Sequence, residues 1–128
     1  ALPICGSGGV GSAAIDVAKA MGAWVVAAAS TEEKRNACLA AGADAVVDYS
    51  KADWRDELKA TLDGRPLDIV YDPVGGDFAE PALRSLGPDG RFLVVGFAAG
   101  DIPRVPINLL LLKRCAMVGV SLSMLSLE

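Results

Sequence analysis

Three glycines near the start of the sequence have the spacing of a phosphate-binding turn. Gly6, Gly8 and Gly11 follow a short apolar run and precede a segment with the apolar periodicity of a helix. Glycine permits a tight turn and lets the backbone approach a pyrophosphate, while the N–H groups at the start of the helix bind the anion. This context predicts a dinucleotide site formed by Gly8, Gly9, Val10 and Gly11, with an ordinary strand-to-helix turn as the alternative.

The residue at position 30 indicates which dinucleotide would bind. An NAD site usually has Asp or Glu at the end of its second strand, roughly 20 residues past the glycines, to bind the ribose 2′-hydroxyl. Ser30 occupies that position here, Glu32 and Glu33 fall within the following helix, and Lys34 and Arg35 are close by. Because a 2′-phosphate requires donors and positive charge, these residues predict NADPH. A simple helix cap at Ser30 and a solvated Lys34 are the alternatives.

Catalytic and metal-binding groups are not recognisable in the sequence. It has no histidine, and its three cysteines lack the spacing of a zinc site, which favours reduced thiols in a cytoplasmic protein. Asp72 could be a catalytic acid, but its place before Gly75 and Gly76 favours a turn-capping role. The Tyr-x-x-x-Lys pair of a short-chain dehydrogenase is also absent. We therefore expect no catalytic residue and no metal site in this chain.

The scaffold that would position these residues alternates strands with helices. Apolar runs predict six strands, at residues 2–5, 24–29, 44–49, 67–72, 91–95 and 116–122. This order predicts an α/β domain of the doubly wound Rossmann type. Its six parallel strands would lie in the order 3-2-1-4-5-6, with helices on both faces of the sheet.

Local signals predict where the helices begin and which faces they bury. A capping box at residues 30–33 would begin the second helix, Asp53 the third, and Asp77 with Glu80 the fourth. The third helix would bury its apolar face, which contains Trp54, Leu58 and Leu62. The first helix would use one continuous face made of Val10, Ala13, Ala14, Val17, Ala18 and Met21.

Composition limits the classes of partner. The 128 residues suit one domain, and 52% of them are apolar, which is enough for a core. A net charge of −4 argues against non-specific binding to nucleic acid or to anionic membranes. No apolar run approaches the roughly 20 residues of a membrane span, and no signal peptide is visible, so we expect a cytoplasmic protein.

Longer strings of the sequence resemble a known superfamily. Gly8-Gly9-Val10-Gly11-Ser12-Ala13-Ala14-Ile15 is followed by Ala18-Lys19-Ala20-Met21-Gly22-Ala23, and further matching strings lie at residues 30–34, 41–44, 47–49, 72–76, 90–91, 95–97 and 108–113. In this order, and over nearly the whole chain, they resemble the medium-chain dehydrogenase/reductase superfamily. The zinc-independent, zeta-crystallin-like quinone oxidoreductases are the most similar branch.

The resemblance implies a part of an enzyme. Residues 1–128 would be the dinucleotide-binding domain, without the catalytic domain that the family places around it, so this chain alone would be inactive. The parent would transfer hydride from NADPH to a quinone, an enone or a similar carbonyl compound. Alternatives are the cofactor domain of a zinc-dependent alcohol dehydrogenase or enoyl reductase of the same superfamily, or a non-enzymatic nucleotide-sensing domain.

The resemblance also assigns residues to the two ends of the cofactor. Family members bind the 2′-phosphate with a Ser or Thr, a Lys and a Tyr, which correspond to Ser30 with Thr31, Lys34 and Tyr49. The nicotinamide would lie along the ends of the fourth and fifth strands. The residues expected there are Val74, which would contact the cofactor, and Gly96, Phe97 and Ala98, whose backbone would face the carboxamide.

The last predicted strand, residues 116–122, is expected to form a homodimer. It would be the edge strand of the sheet, and it is apolar, without charge or proline. Such an edge exposes unpaired backbone groups and favours pairing with another strand. A bulge at Gly119 that blocks pairing is the alternative. The resemblance favours the dimer, because family members commonly join two cofactor domains edge to edge.

Overall fold

The computed structural model describes residues 2–3 and 9–121 of the chain, and side chains from residue 11 onward. Strands and helices alternate along these residues, as predicted. Their bounds are β1 Leu2–Pro3, α1 Gly9–Ala20, β2 Val26–Ala28, α2 Glu32–Ala40, β3 Ala45–Val47, α3 Trp54–Leu62, β4 Ile69–Asp72, α4 Ala79–Ser85, β5 Arg91–Val94, α5 Asn108–Lys113 and β6 Ala116–Gly119. A 3₁₀ turn, Gly76–Phe78, precedes α4.

All the strand pairings described are parallel. β1, β4, β5 and β6 are hydrogen-bonded in that order, and β2 pairs with β3. Cα atoms of β1 also lie within 8 Å of Cα atoms of β2. These neighbours agree with a Rossmann-type sheet. A hydrogen-bonded pairing of β1 with β2 is not among those described, so the complete six-strand order stays a prediction.

Helices cover both faces of the sheet. Val26 and Ala28 of β2 belong to a core cluster with residues of α3, α4 and α5. The alternating residues, with Ala27 among them, belong to a second cluster with Ile15 of α1 and Cys38 of α2. Because successive strand residues point to opposite faces, β2 is buried on both sides, as the continuous apolar run predicts.

The predicted apolar face of α1 is wrong. Among the helix residues from 11 onward, Gly11 and Ile15 are the buried ones, whereas Val17 is 59% exposed and Met21, just after the helix, is 80% exposed. Apolar residues occur around most of this helix, so their spacing does not define one face. The C-terminal end of α1 is instead held by Lys19, whose ammonium lies 2.8 Å from a carboxylate oxygen of Asp44.

Three helix caps also differ from the predictions. The N-cap of α2 is Thr31 rather than Ser30, because strand hydrogen bonding continues to Ala29, whose N–H donates to the Val47 carbonyl. Asp53 is the N-cap residue of α3, but its carboxylate makes no capping bond. Asp77 lies within the 3₁₀ turn and does not cap α4, which begins only after that turn.

Candidate functional site

The carboxyl ends of β2, β3, β4 and β5, at Ala28, Val47, Asp72 and Val94, form what we call the carboxyl edge. The sequence-predicted polar residues Ser30, Lys34 and Tyr49 lie in the segments that follow β2 and β3. The Ala29 N–H donates to the Val47 carbonyl oxygen at 3.1 Å, so the segments that follow β2 and β3 leave the sheet together. In α/β proteins ligands bind outside this edge.

Ser30 and Lys34 are polar residues at this edge whose side chains have no partner within the described part of the chain. Thr31 provides the helix cap, its hydroxyl accepting from the Lys34 N–H at 3.2 Å, so the half-buried Ser30 is not needed for capping. Among the described residues, the Ser30 hydroxyl forms no hydrogen bond, and the exposed Lys34 ammonium forms no ion pair. Both groups are therefore available to a ligand.

Arg35 has a different environment from its neighbour. Its guanidinium donates to the Ala29 carbonyl at 3.2 Å and lies 3.2 Å from Oδ2 of Asp48, and both side chains are largely covered. The expectation that Arg35 supplies free positive charge beside Lys34 is therefore wrong. The sequence did not predict this pair, because Asp48 lies beyond a different strand and only its position at a strand end hints at a contact.

Asp48 is held in its charged form by several donors. Its Oδ1 accepts from the Ser50 hydroxyl at 2.6 Å and from the Ser50 N–H at 3.0 Å. The Ser50 hydroxyl lowers the pKa of Asp48 the most, and Arg35 and Lys51 lower it further against the opposing effect of burial. The carboxylate next to the candidate site is thus ionised and neutralised by Arg35.

Tyr49 joins the two sides of the carboxyl edge. Its half-buried ring packs edge-on against Phe78, with ring centroids 4.4 Å apart and an interplanar angle of 71°. The aromatic contact links the end of β3 to the turn before α4. The contact with Phe78 therefore fixes the ring just beyond β3, and the predicted role of Tyr49 at the phosphate stays a prediction.

Asp72 caps a turn, as predicted. The residue is 2% exposed, and its Oδ1 accepts from the Val74 N–H at 2.9 Å and from the Gly75 N–H at 3.0 Å. Burial raises the pKa of Asp72, and the two N–H donors partly oppose that rise. Both donors belong to the segment of the predicted nicotinamide site.

The loop after β5 packs over this turn. The Ala98 N–H donates to the Pro73 carbonyl at 3.1 Å, so this N–H is not available to a carboxamide, while the predicted role of the Gly96, Phe97 and Ala98 backbone stays a prediction. Phe97 is 42% exposed and contacts Gly75, where a Cβ would lie 2.9 Å from the ring. Gly75 also has a φ of +69°, so glycine is required there on both counts.

The glycine turn is described only in part. Gly9 and Val10 begin α1, and Gly11 is buried in its first turn. Gly8 lies outside the described residues. The start of the helix therefore coincides with the end of the glycine spacing, which is the arrangement a pyrophosphate site requires.

Metal ligands and membrane spans are absent from the described part of the chain. Those residues contain no group of three His, Cys, Asp or Glu side chains close enough to hold a metal ion. Cys38 is buried and Cys115 half-buried, while Cys5 lies outside the described range. Residues 2–3 and 9–121 contain no helix long and apolar enough to cross a membrane.

The fold and the carboxyl edge define a Rossmann-type dinucleotide-binding domain. The family described as zinc-binding dehydrogenase matches residues 9–127. The chain therefore belongs to that family, within the medium-chain dehydrogenase/reductase superfamily.

Individual relatives place the chain near the quinone oxidoreductase-like branch. Quinone oxidoreductase-like protein 2 of Bos taurus is 41% identical over 93% of this chain and 34% of its own length. The crystal structure of Escherichia coli quinone oxidoreductase complexed with NADPH superposes with a TM-score of 0.86 at 32% identity, over 96% of this chain and 38% of that one. A crystal structure of an NAD-dependent alcohol dehydrogenase gives a TM-score of 0.86 at 30% identity, over 94% and 35% of the two chains. This chain thus spans about a third of the length of these relatives.

Proposed function

We propose that residues 1–128 form the NADPH-binding domain of a reductase that transfers hydride to a quinone, an enone or a similar carbonyl compound. The observation that carries the proposal is the pair Ser30 and Lys34 at the end of β2. Among the described residues, the Ser30 hydroxyl forms no hydrogen bond and the Lys34 ammonium forms no ion pair, and Ser30 stands where an NAD-binding domain has a carboxylate. This donor set fits a 2′-phosphate, which accepts charge-assisted hydrogen bonds.

The structural relatives support the nucleotide site but do not choose between the two cofactors. One structure at 32% identity contains NADPH, and another at 30% identity is described as NAD-dependent. The preference for NADPH therefore depends on the residues of this chain. Asp48, which precedes the predicted phosphate ligand Tyr49 in the chain, is neutralised by Arg35 and does not argue against a phosphate.

The residues of this domain would bind and orient the cofactor. When bound, the nicotinamide would supply the hydride. The start of α1 at Gly9 would hold the pyrophosphate, and Tyr49 would border the 2′-phosphate. Val74 and the backbone of Gly96, Phe97 and Ala98 would border the nicotinamide. A substrate pocket and acid–base groups would come from the remaining two thirds of a protein like its relatives.

A second candidate function is favoured by one of the structural relatives. Its description as an NAD-dependent alcohol dehydrogenase keeps the cofactor domain of an alcohol dehydrogenase in consideration. That enzyme class would prefer NADH if it followed the printed description. Cofactor preference therefore separates the two proposals.

The test is a titration of NADPH and NADH into the wild-type chain and into Lys34→Ala. We expect NADPH to bind more tightly, and Lys34→Ala to lose about ten- to a hundredfold in NADPH affinity, because a charge-assisted contact contributes about 1.5–3 kcal/mol. Lys59→Ala, which removes an exposed lysine from α3, is the matched control. Equal wild-type affinities, or equal effects of the two lysine changes, would contradict the proposal.

We also propose that this chain does not turn over substrate by itself. NADPH oxidation with a simple quinone should then proceed no faster than in a control without protein. Oxidation well above that control, and abolished by Gly9→Asp, would show that the domain alone is catalytic.

A homodimer through β6, in a protein located in the cytoplasm, completes the proposal. The pairing of Leu93 with Val118 and of Val94 with Gly119 is in continuous register, so Gly119 introduces no bulge into this part of the sheet. The Ala116 N–H donates to the carbonyl of Gly90, just before β5, and the Val120 N–H donates to the carbonyl of Val94, at the end of β5. Since N–H directions alternate along a strand, that of Gly119 points away from β5, toward the open edge.

Gly119→Pro therefore removes an outward donor and should shift the dimer toward monomer. Gly119→Ala keeps the donor and adds a methyl group with no described atom within 4 Å apart from its chain neighbours, so it should remain dimeric. Sedimentation across protein concentrations measures the difference. A wild-type monomer at every concentration would exclude the dimer.

A further inference from the structure

We propose that Arg35 and Asp48 act together as a selectivity pair, in which Arg35 neutralises Asp48 and positions the phosphate-binding segments without binding the phosphate itself. This inference rests on the proposed NADPH site. It assigns opposite roles to Lys34 and Arg35, two adjacent cations that the sequence does not distinguish.

The geometry first shows that the charge of Arg35 is already engaged. One guanidinium nitrogen, Nη1, lies 3.2 Å from the Ala29 carbonyl oxygen and 3.2 Å from Oδ2 of Asp48. The Ala29 peptide is in turn tied to β3, because its N–H donates to Val47. Arg35 thus joins the last residue before Ser30 to the residue before Tyr49. It holds in register two segments expected to contact the same phosphate.

The chemistry of Asp48 explains why it needs a cation. A carboxylate at the end of a strand in this sheet is the group that binds ribose hydroxyls in NAD-binding domains, and it repels a 2′-phosphate. Asp48 lies one strand further along than the usual position of that acid. Its Oδ1 is occupied by the two donors of Ser50, and its Oδ2 by Arg35. Removal of Arg35 would leave Oδ2 unpaired and negative beside the site, which favours NADH over NADPH.

Lys34 provides the contrast within the same turn of α2. Its side chain is exposed and forms no ion pair among the described residues, whereas the guanidinium of Arg35 is mostly covered. Loss of Lys34 removes a donor to the ligand. Loss of Arg35 leaves the Asp48 carboxylate unpaired beside the ligand. A second substitution at Asp48 therefore distinguishes the two variants, because it should restore NADPH affinity only where Arg35 is missing.

The experiment compares NADPH and NADH affinities of Lys34→Met, Arg35→Met, Asp48→Asn and the double variants Arg35→Met/Asp48→Asn and Lys34→Met/Asp48→Asn. We expect Arg35→Met to lose about tenfold in NADPH affinity and much less in NADH affinity. Asp48→Asn should recover most of that loss in the Arg35→Met background, but not in the Lys34→Met background. The NADPH-to-NADH ratio is the decisive readout, because general damage to the fold weakens both cofactors together.

Arg84→Met is the matched control, since Arg84 forms an exposed pair with Glu80 on α4 and its loss changes the net charge by the same amount. An Arg35→Met loss that Asp48→Asn does not recover, or no loss at all, would overturn the selectivity pair while the proposed function stands. A wild-type chain that binds both cofactors equally, or Lys34→Met without effect, would overturn the proposed function and the pair with it.

Discussion

The amino ends of the strands and their carboxyl ends carry the same kinds of charged residue, but these residues have different partners. At the amino ends, Asp44 precedes β3 and Asp89 precedes β5, and each carboxylate is bound by a cation of the same chain. At the carboxyl edge, Arg35 is bound in the same way, whereas Lys34 has no ion-pair partner among the described residues. The partner of a charge, rather than its residue type, separates structural groups from candidate ligands.

The pair at the start of β3 fixes the first helix to the sheet. Asp44 accepts from the Lys19 ammonium and from the Val25 N–H, both at 2.8 Å. The hydrogen bond from Lys19 is the largest influence that lowers the pKa of Asp44, followed by that from Val25. One carboxylate therefore connects α1, the residue before β2 and the residue before β3, all at the edge opposite the candidate site.

The largest expected effect comes from Asp72, a carboxyl-edge residue that is structural like those at the amino ends. Asp72→Ala removes the buried acceptor of two N–H groups and should lower the free energy of unfolding by about 3 kcal/mol. Urea denaturation measures this change. Asp72→Asn retains an acceptor oxygen and should lose less.

The pH dependence checks the same group. Because burial raises the pKa of Asp72 in the folded protein, its ionisation costs stability as the pH rises through and above the ordinary value of 3.8. Asp72→Asn has no ionisable group at this position, so this loss of stability with rising pH should be absent from the variant. A stability of Asp72→Ala equal to wild type would show that the turn does not depend on this carboxylate.

The fold was predictable from sequence to the extent that it depends on long apolar runs. The run that ends at Ala29 predicts a strand buried on both faces, and both core clusters contain its residues. The cap of α2 was misplaced by one residue because hydrogen bonding to β3 extends the preceding strand as far as Ala29. The local sequence pattern around residues 30–33 does not show that Ala29 pairs with β3.

The candidate site was predictable only in the identity of its residues. The spacing from Gly11 places Ser30 just after β2, where the structure has it, and Lys34 lies in the first turn of α2, while their role as ligands stays a prediction. It could not show that Arg35 is engaged by Asp48, because the two lie on different elements and meet only when β2 and β3 pair. Nor could it show that the Ala98 N–H is taken by Pro73. Both interactions are tertiary contacts between residues that are distant in the sequence, so residue spacing alone does not predict them.

A smaller effect is expected at the amino end of β3, and it sharpens the contrast between the two edges. Asp44→Ala should lower the free energy of unfolding by about 1 kcal/mol, since the pair with Lys19 is partly exposed and screened by solvent. The NADPH-to-NADH affinity ratio should not change. A changed ratio would contradict the assignment of this edge to stability alone.

The pH dependence of that effect follows from the lowered pKa of Asp44. The contribution of the carboxylate is present above its ordinary value of 3.8 and is lost as the pH falls through the lower value in the folded protein. The difference in stability between wild type and Asp44→Ala should therefore shrink with acidification. A difference that grows in acid would show that the carboxylate is not the stabilising group.

The smallest effect is expected at Asp89, where two contributions oppose each other. Its carboxylate accepts from Arg114 at 2.7 and 2.9 Å, but the pair is exposed, and its backbone has a φ of 63°. Asp89→Gly loses the ion pair and gains a residue suited to that conformation, so its melting temperature should stay close to that of wild type. Asp89→Ala loses the ion pair without that gain and should melt a few degrees lower. Thermal denaturation of the three proteins measures these differences. Equal melting temperatures of the Ala and Gly variants would show that the backbone conformation at position 89 carries no cost. A large loss in both variants would show that the exposed pair with Arg114 is a principal stabilising contact at the amino ends of the strands.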